Sequence, residues 1–396
     1  MNTLNYSRPI ELLQEPRQEP MKPSSEHLNP INVLVVDDSA VMRSLIKRIL
    51  GDDSDINVVA SAVDGAGALG QLNLYDVDVV LLDIQMQSGN SMPVIPDLLR
   101  AKPDLKIIMV TSSSDEQINQ CLRALELGAV DYITKPNGKT FSAPSSEFQN
   151  DLFAKIKNWG DGKRKKRRNA GTITKKPHAA KLLKLPVPKQ IILRTGAIER
   201  PSAIAIGCST GGPEALSKII PYLKDVTQPV FITQHMPASF LSIMAGHINE
   251  YDALPCVVAK DGLRVESATI YLAPGDYHMT VQEENNGAVI RLNQNPPENF
   301  CRPAVDPMLR SLSAYYGNKL FITILTGMGV DGQKGAKAAI EAGASMIAQN
   351  EASSVVWGMP GAVAMAGLCN AVVSLDDIGP TIARIARRGM NMGQPE

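Results

Sequence analysis

Five polar residues in the first third of the chain occupy one kind of place, directly after a short apolar run. Asp37 and Asp38 follow INVLVV, Asp83 follows VDVVLL, Thr111 follows KIIMV and Lys135 follows DYIT. Three carboxylates brought together repel one another unless a hard cation holds them, and Mg²⁺, with its preference for oxygen ligands and retained waters, suits such a set. Lys135 adds a mobile positive charge and Thr111 a hydroxyl. A free carboxylate set among a metal ion and a cation is suited to accept a phosphoryl group, whose oxygens need such partners as charge develops on them.

A second constellation lies further along. Gly207-Cys208-Ser209-Thr210-Gly211-Gly212-Pro213 has the strand-like AIAI before it and a helix pattern from Pro213. This satisfies G-x-S-x-G, in which glycines let the chain turn sharply and lift the serine hydroxyl at a helix start. A phosphate-binding loop satisfies the same pattern. PVFITQ ends in His235, placed to serve Ser209 as a base. KLFITIL leads into Thr326-Gly327-Met328-Gly329-Val330-Asp331-Gly332, where an acid can hold the imidazole tautomer and loop amides can supply oxyanion donors. The order Ser, His, Asp differs from the Ser, Asp, His of α/β-hydrolases, which disfavours that fold and keeps the chemistry. Residues 327–332 also read G-x-G-x-x-G, with Glu351 about 20 residues on, in the form of a dinucleotide fingerprint. That alternative gives Ser209 and His235 no role. Cys208 adjoins the serine but lies off the central position of the elbow. His278 is a cleft or structural residue, and His247 falls on a helix pattern.

These residues need a scaffold that delivers strand ends to one edge. From Ile31 the chain alternates apolar runs with amphipathic segments such as Val41, Leu45, Ile46, Ile49 and Leu50, the pattern of a parallel sheet covered on both faces. A last helix, with Phe148, Leu152, Phe153 and Ile156 on one face, closes this first domain, 31–158. Residues 159–200 read as a basic linker, and alternation resumes in a second α/β domain, 201–390. TIYLAP and AVIRL are expected there as an antiparallel hairpin beside the sheet. In such doubly wound sheets ligands bind at the carboxyl edge, so each set of residues converges on one crevice.

The 396 residues suit two or three domains, and 44% hydrophobic with 20% charged residues excludes collagen-like and wholly disordered classes. Zero net charge hides a basic middle: 160–200 carries thirteen Lys/Arg against Asp161 and Glu199. The run Lys163–Arg168 is read as a solvated linker in preference to a nucleic-acid or anionic-membrane contact. Residues 1–30, with five prolines and no apolar signal core, read as a disordered tail. No stretch reads as a membrane span, and five scattered cysteines suit reduced thiols, so a cytoplasmic protein without disulfides or structural zinc is expected.

VLVVDDSAVMR, LLDIQM, MVTS and ALELGAVDYITKP occur in the order of a response-regulator receiver domain, which residues 31–136 resemble. The resemblance implies a flavodoxin-like doubly wound sheet and phosphorylation of Asp83 by a histidine kinase. It further implies Mg²⁺ held by Asp38 and Asp83 with Asp37 close by, and a switch through Thr111 and Lys135. Where the family commonly has Met-Pro then Asp-Gly, this chain has Met86-Gln87-Ser88-Gly89-Asn90, a difference bearing on the lifetime of the phosphoryl group.

Residues 201–388 resemble the chemotaxis protein-glutamate methylesterases through GCSTGGPEAL, QHMPASF, YLAPGDYHM, RPAVDPMLRS, TGMGVDGQKGAKA and IAQNEASSVVWGMPGAV. That resemblance implies Ser209 as nucleophile, His235 as base and Asp331 as orienter, with Thr210 and Met328 in the oxyanion cleft. Methyl-esterified glutamates on chemoreceptor helices would be hydrolysed, and receptor glutamines deamidated, without a cofactor in the esterase. The family often carries His where this chain has Cys301, which touches substrate contacts more than catalysis. A monomer is expected, with neither nucleic acid nor membrane insertion. The competing class is a non-enzymatic receiver-linked binding module, for which Ser209→Ala would leave function intact.

Overall fold

The computed structural model describes residues 30–86, 89–136, 146–170 and 191–392. The first unit runs β1 (Ile31–Val36), α1 (Ala40–Leu50), β2 (Ile56–Ala62), α2 (Gly65–Leu74), β3 (Val79–Asp83), β4 (Gln85–Met86), β5 (Gly89–Asn90), α3 (Val94–Ala101), β6 (Lys106–Thr111), α4 (Asp115–Glu126), β7 (Asp131–Thr134) and α5 (Ser146–Ala170). Its five-stranded sheet has the order β2-β1-β3-β6-β7, all parallel, while β4 and β5 form a small separate ladder. Every residue of β3 is buried, as a strand covered on both faces requires. Helix α1 starts where the Ser39 side chain accepts from Met42 N and buries Met42, Leu45, Ile46, Ile49 and Leu50.

The second unit runs β8 (Gly196–Ile198), β9 (Ala203–Cys208), α6 (Gly212–Ile219), β10 (Val230–Gln234), α7 (Ala238–Ile248), β11 (Cys256–Val258), β12 (Ile270–Leu272), β13 (His278–Glu284), β14 (Gly287–Asn293), α8 (Val305–Tyr316), β15 (Leu320–Ile324), α9 (Gln333–Glu341), β16 (Ser345–Gln349), α10 (Met359–Met365), β17 (Ala371–Val373), α11 (Leu375–Arg388) and β18 (Met390–Met392). Seven parallel strands are ordered β11-β12-β10-β9-β15-β16-β17. β9 is central, with β10 on one side and β15 on the other, so the ends of these three strands meet at the switch point where such folds bind ligands.

Three features differ from the sequence expectation. TIYLAP is not half of a hairpin: Ile270, Tyr271 and Leu272 are all buried, and β12 lies in the parallel sheet between β10 and β11. The hairpin pairs β13 with β14 instead, across Asn285 and Asn286, both at positive φ as a tight hairpin turn demands. Helix α5 does not end at Trp159, as the sequence pattern suggests, but continues to Ala170, since Lys and Arg are good helix formers and Gly160 lies where a Cβ would strike Ile31. Residues 191–200 are not linker but part of the second unit. Ile198 is buried, β8 pairs antiparallel with β18, and Arg194 N donates to Cys369 O. The expected tail at 1–29, Gln87, Ser88, and linker residues 171–190 with His178 lie outside the described residues.

The two units share one continuous apolar cluster, in which Leu122, Leu125 and Tyr132 of the first join Phe240, Met244 and Ile248 of the second. The Tyr132 and Phe240 rings stack at 4.3 Å between centroids, and His247 Nε2 lies 2.9 Å from Asn119 Oδ1.

Candidate functional site

The carboxyl edge of the first sheet gathers the acids. Asp37, Asp38 and Asp83 can each offer an oxygen within 4.8 Å of the others. Lys135 Nζ lies 2.7 Å from Asp83 Oδ2 and 3.1 Å from Asp37 Oδ2. Thr111 is fully buried beside them at the end of β6, its hydroxyl donating to Ser112 O at 3.1 Å. Burial pushes the Asp83 carboxyl up to about 6, against the pull of Lys135 and with the help of neighbouring Asp37. Asp37 Oδ2 is buried and faces the Lys135 ammonium. Three carboxylates converging at this edge form a set of hard oxygen donors that fits a divalent cation such as Mg²⁺.

The carboxyl edge of the second sheet gathers Ser209 after β9, His235 after β10 and Asp331 in the loop after β15. The turn at Ser209 needs its glycines. Gly211 adopts φ +77°, and a Cβ on Gly212 would come within 1.9 Å of Gln234 Oε1. The turn is pinned from both sides, with Ser209 N donating to Thr326 O at 3.0 Å and Gln234 Nε2 donating to both Ser209 O (3.0 Å) and His235 O (3.2 Å). Gln234 thus ties the serine turn to the histidine strand end.

His235 Nε2 lies 2.7 Å from Asp331 Oδ2. An ionised carboxylate only accepts, so Nε2 carries the proton and Nδ1 is the nitrogen left to act as a base. This reverses the ring assignment of the familiar triad, in which the acid holds Nδ1. Nδ1 faces Cys301 Sγ at 3.4 Å, and no hydrogen bond joins it to Ser209 among the described contacts. Burial pulls the His235 pKa down, but its bonds to Asp331 and Cys301 outweigh this and raise it to about 9.

Asp331 is 1% exposed and saturated with donors. Besides His235, Oδ2 accepts from Val305 N (2.6 Å), and Oδ1 accepts from Asp306 N (3.1 Å), Gly332 N (2.9 Å) and Asn299 Nδ2 (2.9 Å). Two of these amides open α8, so the positive end of that helix faces the carboxylate. Burial raises the Asp331 pKa, yet His235 and the amides more than offset it and hold the acid below the usual carboxylate range. Thr210 and Met328 line the same cavity as Ser209 and His235, and their amides donate to no other group among the described contacts.

Cys208 is buried with its thiol pushed up by desolvation and turned toward Thr233 O, away from the nucleophile's role. His278 is buried too. It accepts from Ala304 N and lies 3.2 Å from Pro296 O, bracing the segment before α8. The sequence reading missed Asn299 and Asp306. Asn299 bridges Asp331 and Asp306 (3.0 Å to Oδ2), and fully buried Asp306 takes Gly335 N at 2.6 Å. The signal for Asp306 was an acid at the start of a helix pattern within RPAVD; nothing marked Asn299.

A cavity of about 1030 Å³ opens over Ser209 and His235, and its far wall belongs to the first unit. Tyr132, Lys135, Phe148 and Lys155 line it there. Lys155 is held by Asp131 and Asp151, both at 3.3 Å, and lies 4.6 Å from the centre of the Tyr132 ring that stacks on Phe240.

Residues 204–382 match the family described as CheB methylesterase, and residues 33–140 match the response regulator receiver domain. The chain is 45% identical to the protein-glutamate methylesterase/protein-glutamine glutaminase 1 of Paramagnetospirillum magneticum (strain ATCC 700264 / AMB-1), over 90% of this chain and 97% of that one. It is also 45% identical to the protein-glutamate methylesterase/protein-glutamine glutaminase of Azospirillum brasilense, over 91% of this chain and 94% of the relative. The crystal structure of the Thermotoga maritima CheB methylesterase catalytic domain aligns at 35% identity with a TM-score of 0.46, covering 47% of this chain and 98% of that one.

Proposed function

Because the chain belongs to the receiver-regulated CheB methylesterase family, which its relatives name for protein-glutamate methylesterase and protein-glutamine glutaminase activity, we propose that Ser209, His235 and Asp331 carry that hydrolysis here. The observation that bears most weight is the 2.7 Å bond from His235, at the end of β10, to Asp331, in the loop after β15, with Ser209 at the end of β9, the strand between those two. His235 Nδ1 takes the Ser209 proton as Oγ attacks the γ-carbonyl of a methyl-esterified glutamate. The amides of Thr210 and Met328 receive the oxyanion, aided by the N-terminus of α6. The imidazolium then protonates the leaving methoxide. Water, deprotonated by the same Nδ1, hydrolyses the acyl-enzyme to free glutamate. A glutamine follows the same path with ammonia leaving. The esterase crevice uses side chains and amides alone.

The substrate is the methylated cytoplasmic helix of a chemoreceptor, and a histidine kinase is the phosphodonor for Asp83. Asp37, Asp38 and Asp83 would hold Mg²⁺, which supplies charge neutralisation for phosphoryl transfer. Lys135 pairs with the acceptor carboxylate, and Thr111 lies at the neighbouring strand end. Phosphorylation changes which contacts Lys135 and Thr111 make and shifts the receiver between packings, withdrawing its Tyr132 face from the cavity over Ser209. The unphosphorylated enzyme keeps a minor open population and some activity. The protein acts as a monomer in the cytoplasm; among the described residues no helix is long and apolar enough to cross a membrane.

Methanol release from methylated receptor membranes tests the assignment. Wild type should release methanol and Ser209→Ala should not. Equal release by both would transfer the chemistry to another residue. No release by the wild type, with the protein folded and several receptors tried, would favour a binding module.

A further inference from the structure

Phe300 is a side chain in the cleft to which the hydrolytic mechanism gives no task. It is fully exposed, at 102% of its reference area, and it lines the same cavity as Ser209 and His235. Glu298 N donates to Cys301 O and Cys301 N to Glu298 O, closing a two-residue reverse turn whose central residues are Asn299 and Phe300. Both have positive φ, 52° and 63°, the signs of a type I′ turn. Asn suits the first of those positions and Gly the second; a phenylalanine there adopts a conformation that its Cβ disfavours.

Every other residue of the turn is tied to the catalytic end of the domain. Glu298 pairs with Arg310 of α8, Asn299 bridges Asp306 and Asp331, and Cys301 faces His235. The benzyl group instead stands exposed, with no ring or cation partner among the described residues. A disfavoured backbone conformation held in place by the network around the catalytic acid, with an aromatic ring aimed at solvent, is the kind of local cost that persists where function requires it. Met328, which lines the same cavity, is a second apolar side chain left 44% exposed. The receiver reaches that side, Asn158 Nδ2 lying 2.8 Å from Met328 Sδ, while Phe300 stays uncovered in the same arrangement.

We infer that Phe300 is a specificity-determining residue, an aromatic anchor that seats the apolar flank of the receptor helix carrying the esterified glutamate. The inference rests on the methylesterase reading above. An exposed aromatic beside a polar reaction centre supplies contact area at small conformational cost, and such residues dominate the energetics of recognition. Because the receiver leaves Phe300 free, it engages substrate in the resting and the phosphorylated protein alike.

The test is steady-state methanol release from methylated receptor membranes by wild type, Phe300→Ala and Phe300→Leu, with turnover of a small aryl acetate measured in parallel. For Phe300→Ala, KM for receptor should rise about tenfold, as expected for truncating an interfacial aromatic anchor. Its kcat and its small-ester turnover should stay within about twofold of wild type, since no transition-state contact is removed. Phe300→Leu should recover part of the KM, with or without phosphodonor. An unmoved KM would overturn the inference and leave the methylesterase reading standing. A fall in kcat and in small-ester turnover at unchanged KM would also overturn it, showing that the turn serves only to position Asp331. Absence of methanol release by the wild type would overturn both.

Discussion

Asp83 and Asp331 are both buried aspartates, 2% and 1% exposed, delivered by parallel strands to the carboxyl edge of a doubly wound sheet. Their surroundings differ. Asp83 has Lys135 at 2.7 Å and one distant amide, Gln85 N at 3.4 Å, with Asp37 beside it. Asp331 has His235 and four further donors. Their pKa values move in opposite directions, Asp83 up to about 6 and Asp331 below the ordinary carboxylate range. A carboxylate supplied with every donor it can use is fixed in charge and direction, which is what orienting an imidazole requires. One left under-supplied can change partners, which is what accepting a phosphoryl group requires.

The sharpest way to break this contrast is at the nucleophile that Asp331 serves. Ser209→Ala should cut methanol release by at least about 10⁴-fold, the scale of removing a triad nucleophile. Asp331→Asn follows, at about 10⁴-fold in kcat, because an amide donates where Nε2–H needs an acceptor and the wrong tautomer is favoured. It should also lower the melting temperature, since amide protons would then face the Val305 or Asp306 N–H. Asp83→Asn should reduce the ratio of stimulated to unstimulated release to one, read with a small phosphodonor and Mg²⁺.

Smaller effects separate the two regions further. Phe240→Ala removes the ring that Tyr132 stacks on and should raise unstimulated release several-fold, since an aromatic pair contributes about 0.5–1.5 kcal/mol beyond its buried area. Stability should respond to pH with opposite signs at the two acids. The pKa of Asp83 is raised on folding, so its ionisation opposes folding, and the receiver should lose stability as pH rises through about 6. Asp331 has a lowered pKa, so its contribution is present above the ordinary carboxylate value of about 4 and is lost as pH falls below it. His235 is raised to about 9, so its contribution to stability is complete below the ordinary imidazole value of about 6.5 and is lost as pH rises through about 9. Catalysis needs the neutral ring, so kcat/KM should climb over that same upper range. Cys301→Ser, which removes the sulfur beside Nδ1, should move the midpoint of the profile to lower pH.

Much of this architecture was legible because a parallel strand buried on both faces writes itself as an unbroken apolar run, and the polar residue after the run marks the carboxyl edge. That rule led to Asp37, Asp83, Lys135, Ser209 and His235. It also separated the two sheets. It gave no account of Asn299 or of the Cys301–His235 contact, which come from a segment without strand or helix period that is folded over the site by its own turn. The nitrogen that serves as base depends on how the imidazole ring is turned, which no spacing encodes. TIYLAP was misplaced because three buried residues between two strands resemble an edge hairpin when only the apolar run is counted. The continuation of α5 was hidden because its last turns are basic and carry no apolar period, while Gly160 lets the helix pass Ile31.

Coupling of the receiver to the esterase is tested most directly by initial rates of methanol release from methylated receptor membranes by wild type and Asp83→Asn, each with Mg²⁺, with and without a small phosphodonor. Phosphodonor should stimulate the wild type and leave Asp83→Asn unchanged. Equal stimulation of both proteins, or none in a wild type shown to carry phosphate on Asp83, would contradict it.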